Sequence, residues 1–206
     1  MSYEKIEFSC NYMETLHSDD DVIISRFKLL HTGRNINQCD ILSESIPKSI
    51  SSFYNKAIIY KLNNEYFPKD SSDVVEHSRD MYDTTMNIAG HIVESGGFEL
   101  KTEEDGKEYL YMIGVIHKLY QPVLTNIIKN RNGNMKVSIE IKPLVAYRDA
   151  DGVLVIQKFK LLGVCLLGEG IQEGIKGSKM QVLKYSSEEY NDKYLNFSKE
   201  SFIMNS

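Results

Sequence analysis

Short runs of β-branched, aliphatic and tyrosine residues recur along this chain, and most of them end at Gly, Asn, Asp or Pro. That rhythm constrains the fold more than any other feature, because brief apolar runs bounded by turn formers read as strands. The runs are 22–30 (VIISRFKLL, ended by the turn signal HTG), 57–62 (AIIYKL), 88–93 (IAGHIV) and 109–120 (YLYMIGVIHKLY). Strict alternation over 136–142 (KVSIEIK) adds another, and a DADG turn at 149–152 leads into 153–156 and 159–167. Residues 3–12 alternate loosely and suit a peripheral strand, and EEDG at 103–106 is a turn between two more. Helix signals are few. A short helix is expected near 40–45, closed by Pro47, and another is opened by Pro122 at its favoured first position. In that second helix Val123, Leu124, Ile127 and Ile128 share one face. The expectation is an α+β, β-rich class: one mostly antiparallel β domain with a few short helices.

Two hundred and six residues suffice for one well-buried core. The domain is placed at 22–184, with an N-terminal arm at 1–21 and a polar tail at 185–206. A net charge of −5 offers no footprint for nucleic acid, so direct nucleic-acid binding is not expected. No apolar run has the length of a membrane helix. MSYEKIEFSC lacks the layout of a signal peptide, which points to a cytoplasm. Cys10, Cys39 and Cys165 are scattered and odd in number, against a disulfide framework or a zinc cluster. Cys165, inside LLGVCLLG, reads as a small core residue. No phosphate loop, dinucleotide fingerprint, HExxH, CxxC or GxSxG elbow occurs, so neither cofactor nor metal is expected.

Chemistry is sought first at Ser138. Alternation in KVSIEIK sets Val137, Ile139 and Ile141 on one face and Ser138 with Glu140 on the other, roughly 7 Å apart. A serine there is either part of the solvated side of a half-buried sheet or a nucleophile. A nucleophile requires a base within hydrogen-bond reach. Of the five histidines, His17 and His31 lie in or beside turns and are expected at the surface. His117 shares a strand face with Tyr109, Tyr111, Ile113 and Val115 and is expected to pack on the core, and His91 reads as a satisfied strand histidine. His77 stands apart, in the long polar stretch 63–87 and flanked by Glu76, Ser78 and Asp80. A loop of that length in a compact domain usually has a task. His77 is therefore a surface histidine or the base.

Taken together, the segments FKLLHTGRNIN (27–37), SISSFYNKAII (49–59), EHSRD (76–80), IAGHIVE (88–94), DGKEYLYMIGVIHKLY (105–120), KVSIEI (136–141) and FKLLGVCLLGEGIQEGIKG (159–177) resemble the caudovirus prohead (capsid maturation) serine proteases, relatives in fold of the herpesvirus assemblins. The resemblance spans 27–182 and implies a β-barrel-like, assemblin/prohead protease-like domain. It implies Ser138 as nucleophile on the KVSIEI strand. IAGHIVE matches the glycine-containing strand that follows the family's base, with Gly90 as its glycine, which makes His77 the implied base and His91 the alternative. No histidine follows Ser138, and 159–167 carries no carboxylate, so Glu140, Asp80 or Glu169 is left to orient the imidazole.

The implied activity is that of a serine endopeptidase processing phage scaffold and major capsid proteins inside assembling proheads, in the host bacterial cytoplasm. Self-cleavage and homo-oligomers belong to the same expectation, and backbone N–H groups near Arg148 and after Asp149 are oxyanion candidates by analogy. The alternative is a catalytically silent capsid- or scaffold-associated protein that keeps the protease fold.

Overall fold

The computed structural model describes residues 21–64, 66–76 and 85–185. Among these, ten strands carry the architecture: β1 (Val22–His31), β2 (Gly33–Arg34), β3 (Cys39–Ile41), β4 (Ala57–Tyr60), β5 (Asn87–Ile92), β6 (Phe98–Thr102), β7 (Glu108–His117), β8 (Asn134–Arg148), β9 (Leu154–Leu167) and β10 (Lys179–Tyr185). Two short α-helices accompany them, α1 (Ser45–Ser49) and α2 (Pro122–Asn130). The chain is a β-rich domain, as its apolar rhythm dictates.

Seven strands close on themselves in the order β9, β4, β5, β7, β1, β10, β8, with β8 returning to β9. Closure hides the unpaired backbone groups that an open sheet would leave at its edges. Every neighbouring pair in the ring is antiparallel except β4 with β9. Outside the ring, β3 adds in parallel to the distal part of β9, β2 pairs β3, and β6 pairs the first half of β7.

The interior is filled by alternate residues. Phe27, Ile58, Leu110, Met112, Ile116, Val137, Val164 and Leu166 point inward, and α2 adds Leu124, Ile127 and Ile128. Full burial of each such side chain stabilises the fold by about 1.5–3 kcal/mol. Gly114 lies on the inner side of β7, where a Cβ would fall 2.6 Å from the Phe27 ring, so the missing side chain makes room for that ring.

Several local expectations change. The helix expected at 40–45 begins later, at Ser45, because Cys39–Ile41 is drawn into the ladder with Leu154, Val155 and Ile156. Pro47 sits inside its first turn, where no intrahelical N–H bond is lost. The runs at 153–156 and 159–167 merge into β9, which absorbs the break as bulges against β8. β8 continues well past Lys142 to Arg148. β10 lacks a strong apolar run and was not expected at all, yet it bridges β1 and β8. The strand expected over 3–12 lies outside the described residues.

Candidate functional site

Ser138 stands on the outer face of the barrel, because its neighbours Val137 and Ile139 face the core. It is half-buried. Across β8 and β9 it is registered against Cys165, which in turn is level with Ile59 of β4, and Ile59 with Ile88 of β5. All four are outward residues, since Val164 and Leu166, Ile58 and Tyr60, and Ala89 are the inward ones. A second row runs beside the first, made by Glu140, Gly163, Ala57 and His91. Glu140 is thus on the face of Ser138, as the alternation required.

Cys165 belongs to the outer row and is nevertheless fully buried. Its thiol is pushed up to about 12, by burial first and then by the carboxylates of Glu140 and Glu76. Glu76 arrives from the segment 73–76, which lies against the ends of β4 and β9. Val75 N–H donates to Lys61 O (2.9 Å), Asn63 N–H to Asp73 O (3.0 Å), and Leu62 bridges Val74. This antiparallel run leads toward the row of Ile59, Cys165 and Ser138. Asp73 is fastened by Arg131 (Nη2 to Oδ1, 2.5 Å) and accepts the N–H of Glu169 (3.2 Å). His77 and Asp80 lie outside the described residues.

The other named residues are placed clearly. His91 is three strands from β8, about 14 Å at the usual spacing, so its ring does not reach Ser138. It stacks on His117 with centroids 5.8 Å apart. Burial, and then His117, lowers the His91 pKa. His117 is exposed rather than packed on the core, because the inner side of β7 is the one bearing Leu110, Met112, Gly114 and Ile116. His31, expected at the surface, is buried: Nδ1–H donates to Thr32 O (2.9 Å) and the ring meets Tyr109 edge-on. Glu169 sits just past the end of β9, where its carbonyl accepts from Lys136 Nζ (2.9 Å). Arg148 caps the far end of the β8–β9 hairpin by donating to Gly152 O (2.7 Å). Ten residues, roughly 33 Å of strand, separate it from Ser138, which removes that segment as an oxyanion donor.

Sequence reasoning passed over Asp73 and Arg131, which stand 58 residues apart with no local motif to join them. It also passed over an outer network on β1, β6 and β7, in which Arg26 pairs with Glu99 and covers Tyr111, while Lys28 pairs with Glu103 (2.6 Å) over Tyr109. Among the described residues no group of three or more His, Cys, Asp or Glu side chains is placed to hold a metal. No described helix is long and apolar enough to cross a membrane.

The family model described as the YonD N-terminal domain matches residues 21–203. The chain belongs to that family. The match takes in the whole barrel, so Ser138 and its row are features of a YonD N-terminal domain and not of an appended segment. No curated protein and no solved structure matches the chain.

Proposed function

We propose that this YonD N-terminal domain is a serine endopeptidase with Ser138 as nucleophile and His77 as general base. The observation that carries the reading is the outward, half-exposed Ser138 on a strand paired to β9, with the segment leading directly into His77 held at the adjoining end of β4 and β9. His77 takes the proton of Ser138 Oγ as the oxygen attacks a peptide carbonyl. The proton then passes to the leaving amine, and water releases the acyl-enzyme. Glu140 shares the outward face of Ser138 one row along, which supports it as the acid that orients the base. The resemblance to prohead proteases supplies the assembly side of the proposal: scaffold and major capsid proteins as substrates, self-association, an assemblin-like fold, and action within proheads in the host cytoplasm.

One observation favours a second reading, a silent scaffold- or capsid-binding protein: Ser138 Oγ has no hydrogen-bond partner among the described residues. An activated serine normally leans on its base, although such bonds are often long before substrate binds. The two readings separate on incubation with a fluorophosphonate and mapping of the adduct by mass. An adduct on Ser138 that is lost in His77→Ala supports the protease. A Ser138→Ala protein that still processes scaffold ends the assignment.

A further inference from the structure

The most open stretch of backbone in the barrel is the distal half of β8. β10 covers one side of β8 only at Asn134, Met135 and Lys136, and Val137 adds one N–H to Ser178 O (3.2 Å). On the other side β9 follows β8 as far as Arg148. Among the described residues β8 therefore has a free edge beyond Val137, and 142–148 are all exposed.

The ladder fixes which groups that edge offers. Phe159 and Leu161 donate their N–H groups away from β8, to Ser49 Oγ (3.0 Å) and Ser52 Oγ (2.9 Å). Residues directly opposite in an antiparallel pair exchange both bonds or neither, so their partners Pro143 and Ile141 turn their backbone groups to the open side. Pro143 is where a proline belongs in a sheet, with its missing N–H at an edge. It interrupts the row of donors without closing it, since the Ile141 N–H and the carbonyls of Ile141 and Pro143 still face outward. Leu144, Val145, Tyr147 and Leu162 are each about half exposed around this edge. Free backbone groups flanked by apolar side chains form a template for another strand.

The outer face beside the edge is basic. Phe159 and Leu161 are buried, so Lys160 points outward, and Lys142 stands directly opposite it in the ladder. Like charges in that position repel. Lys158, paired with Val145, is exposed a step further on. Among the described residues no carboxylate forms an ion pair with any of the three. Asp149, near the hairpin tip, is spent on the turn, its Oδ1 accepting the N–H groups of Asp151 and Val153 (2.9 Å each). A chain of net charge −5 thus gathers three lysines beside its free edge. A second copy paired antiparallel through the same edge would double the lysines on one face, whereas a strand carrying carboxylates relieves their repulsion.

We propose that the free edge of β8 over 141–148 takes up an extended acidic segment of a partner protein as an added strand. Backbone bonds to Ile141 and Pro143 supply affinity, and Leu144, Val145 and Tyr147 supply apolar contact. Lys142 next to the guest strand, with Lys158 and Lys160 one strand beyond, selects carboxylates. The site does not depend on the serine chemistry.

The probe is a short fluorescent peptide in which Glu and Val alternate, titrated with the full chain and read by anisotropy. The expected result is saturable binding that weakens roughly tenfold in Lys142→Glu/Lys160→Glu and falls as salt is raised. A peptide with Lys in place of Glu does not bind, and neither does the acidic peptide methylated at every backbone nitrogen. Amide hydrogen exchange at Ile141 slows when the acidic peptide is bound. Equal binding of the methylated peptide makes the contact purely ionic and overturns strand addition. Undiminished binding in Lys142→Glu/Lys160→Glu, with Ile141 exchange unchanged, puts the peptide elsewhere and overturns the site. Absence of peptide binding, with a dimer seen by light scattering that slows Ile141 exchange, gives the edge to a second copy and overturns the acidic partner. Absence of both removes the proposal. Both substitutions fall at exposed positions, and thermal melting checks that they fold; if they do not, Ile141 exchange in the unaltered chain decides. None of these readouts uses labelling at Ser138, so the protease reading stands or falls separately.

Discussion

Ser138 and Cys165 stand directly opposite one another on the outer faces of β8 and β9, the hydroxyl half exposed and the thiol fully buried. Neighbours in a ladder, they are chemically unequal. The serine is reachable from solvent, whereas the cysteine is fully buried and its thiol is pushed up to about 12, by burial first and then by the carboxylates of Glu140 and Glu76. Since the thiolate is the reactive form, the buried thiol is not poised to react.

That inequality predicts how the thiol reacts. In the folded protein near neutral pH, iodoacetamide leaves Cys165 unmodified while the half-exposed Cys39 is alkylated, and both react in urea. Mass mapping of the two peptides checks it. Native labelling of Cys165 at the rate of Cys39 shows that the outer row is open.

The approach of β5 to β7 predicts an unequal response to two glycine substitutions. A Cβ at Gly90 would stand 1.8 Å from Val115 O, so Gly90→Ala forces the two backbones apart and costs about 3 kcal/mol or more. Gly163, beside Glu140 on the face of Ser138, meets nothing nearer than Ile59 Cδ1 at 3.7 Å, and Gly163→Ala is tolerated. Urea midpoints of the two variants decide the matter, and equal losses would count against the strand spacing described.

Phe53 and Phe159 are both fully buried and meet edge to face at 5.8 Å, joining the turn after α1 to β9. Phe159→Ala is expected to cost about 3–5 kcal/mol, because the surrounding strands relax only partly into the space. Equilibrium unfolding measures it. A loss below about 1 kcal/mol contradicts the packing.

Stability is expected to fall on mild acidification. Burial lowers the His31 pKa, with the Thr32 carbonyl opposing and Lys107 reinforcing, and burial followed by His117 lowers that of His91. With folded values below the unfolded value of about 6.5, the unfolded chain takes up protons first. Stability is therefore complete above that value and is lost as pH falls below it toward the folded pKa values. The urea midpoint drops between pH 7 and pH 5, and drops less in the double variant His31→Gln/His91→Gln. Equal drops in wild type and variant place the acid sensitivity elsewhere.

Local chemistry already determined a good deal. Period-two alternation made 136–142 a strand and put Ser138 and Glu140 on one face, Pro122 opened α2, and Asp149 and Gly152 closed the β8–β9 hairpin. Each depends on residues within a few positions of one another, so it is written in the order of the chain. Which face of a strand turns inward is not written there. β7 is apolar on both sides, and the inner side was settled only by Gly114, which admits Phe27 and Ile58 from other strands, leaving His117 outside. The burial of His31, the lateral row from Ser138 to Ile88, the closure through β10 and the joining of Asp73 to Arg131 are likewise long-range. Such contacts come from ring closure and packing among elements far apart in sequence, for which single-chain periodicity carries no record.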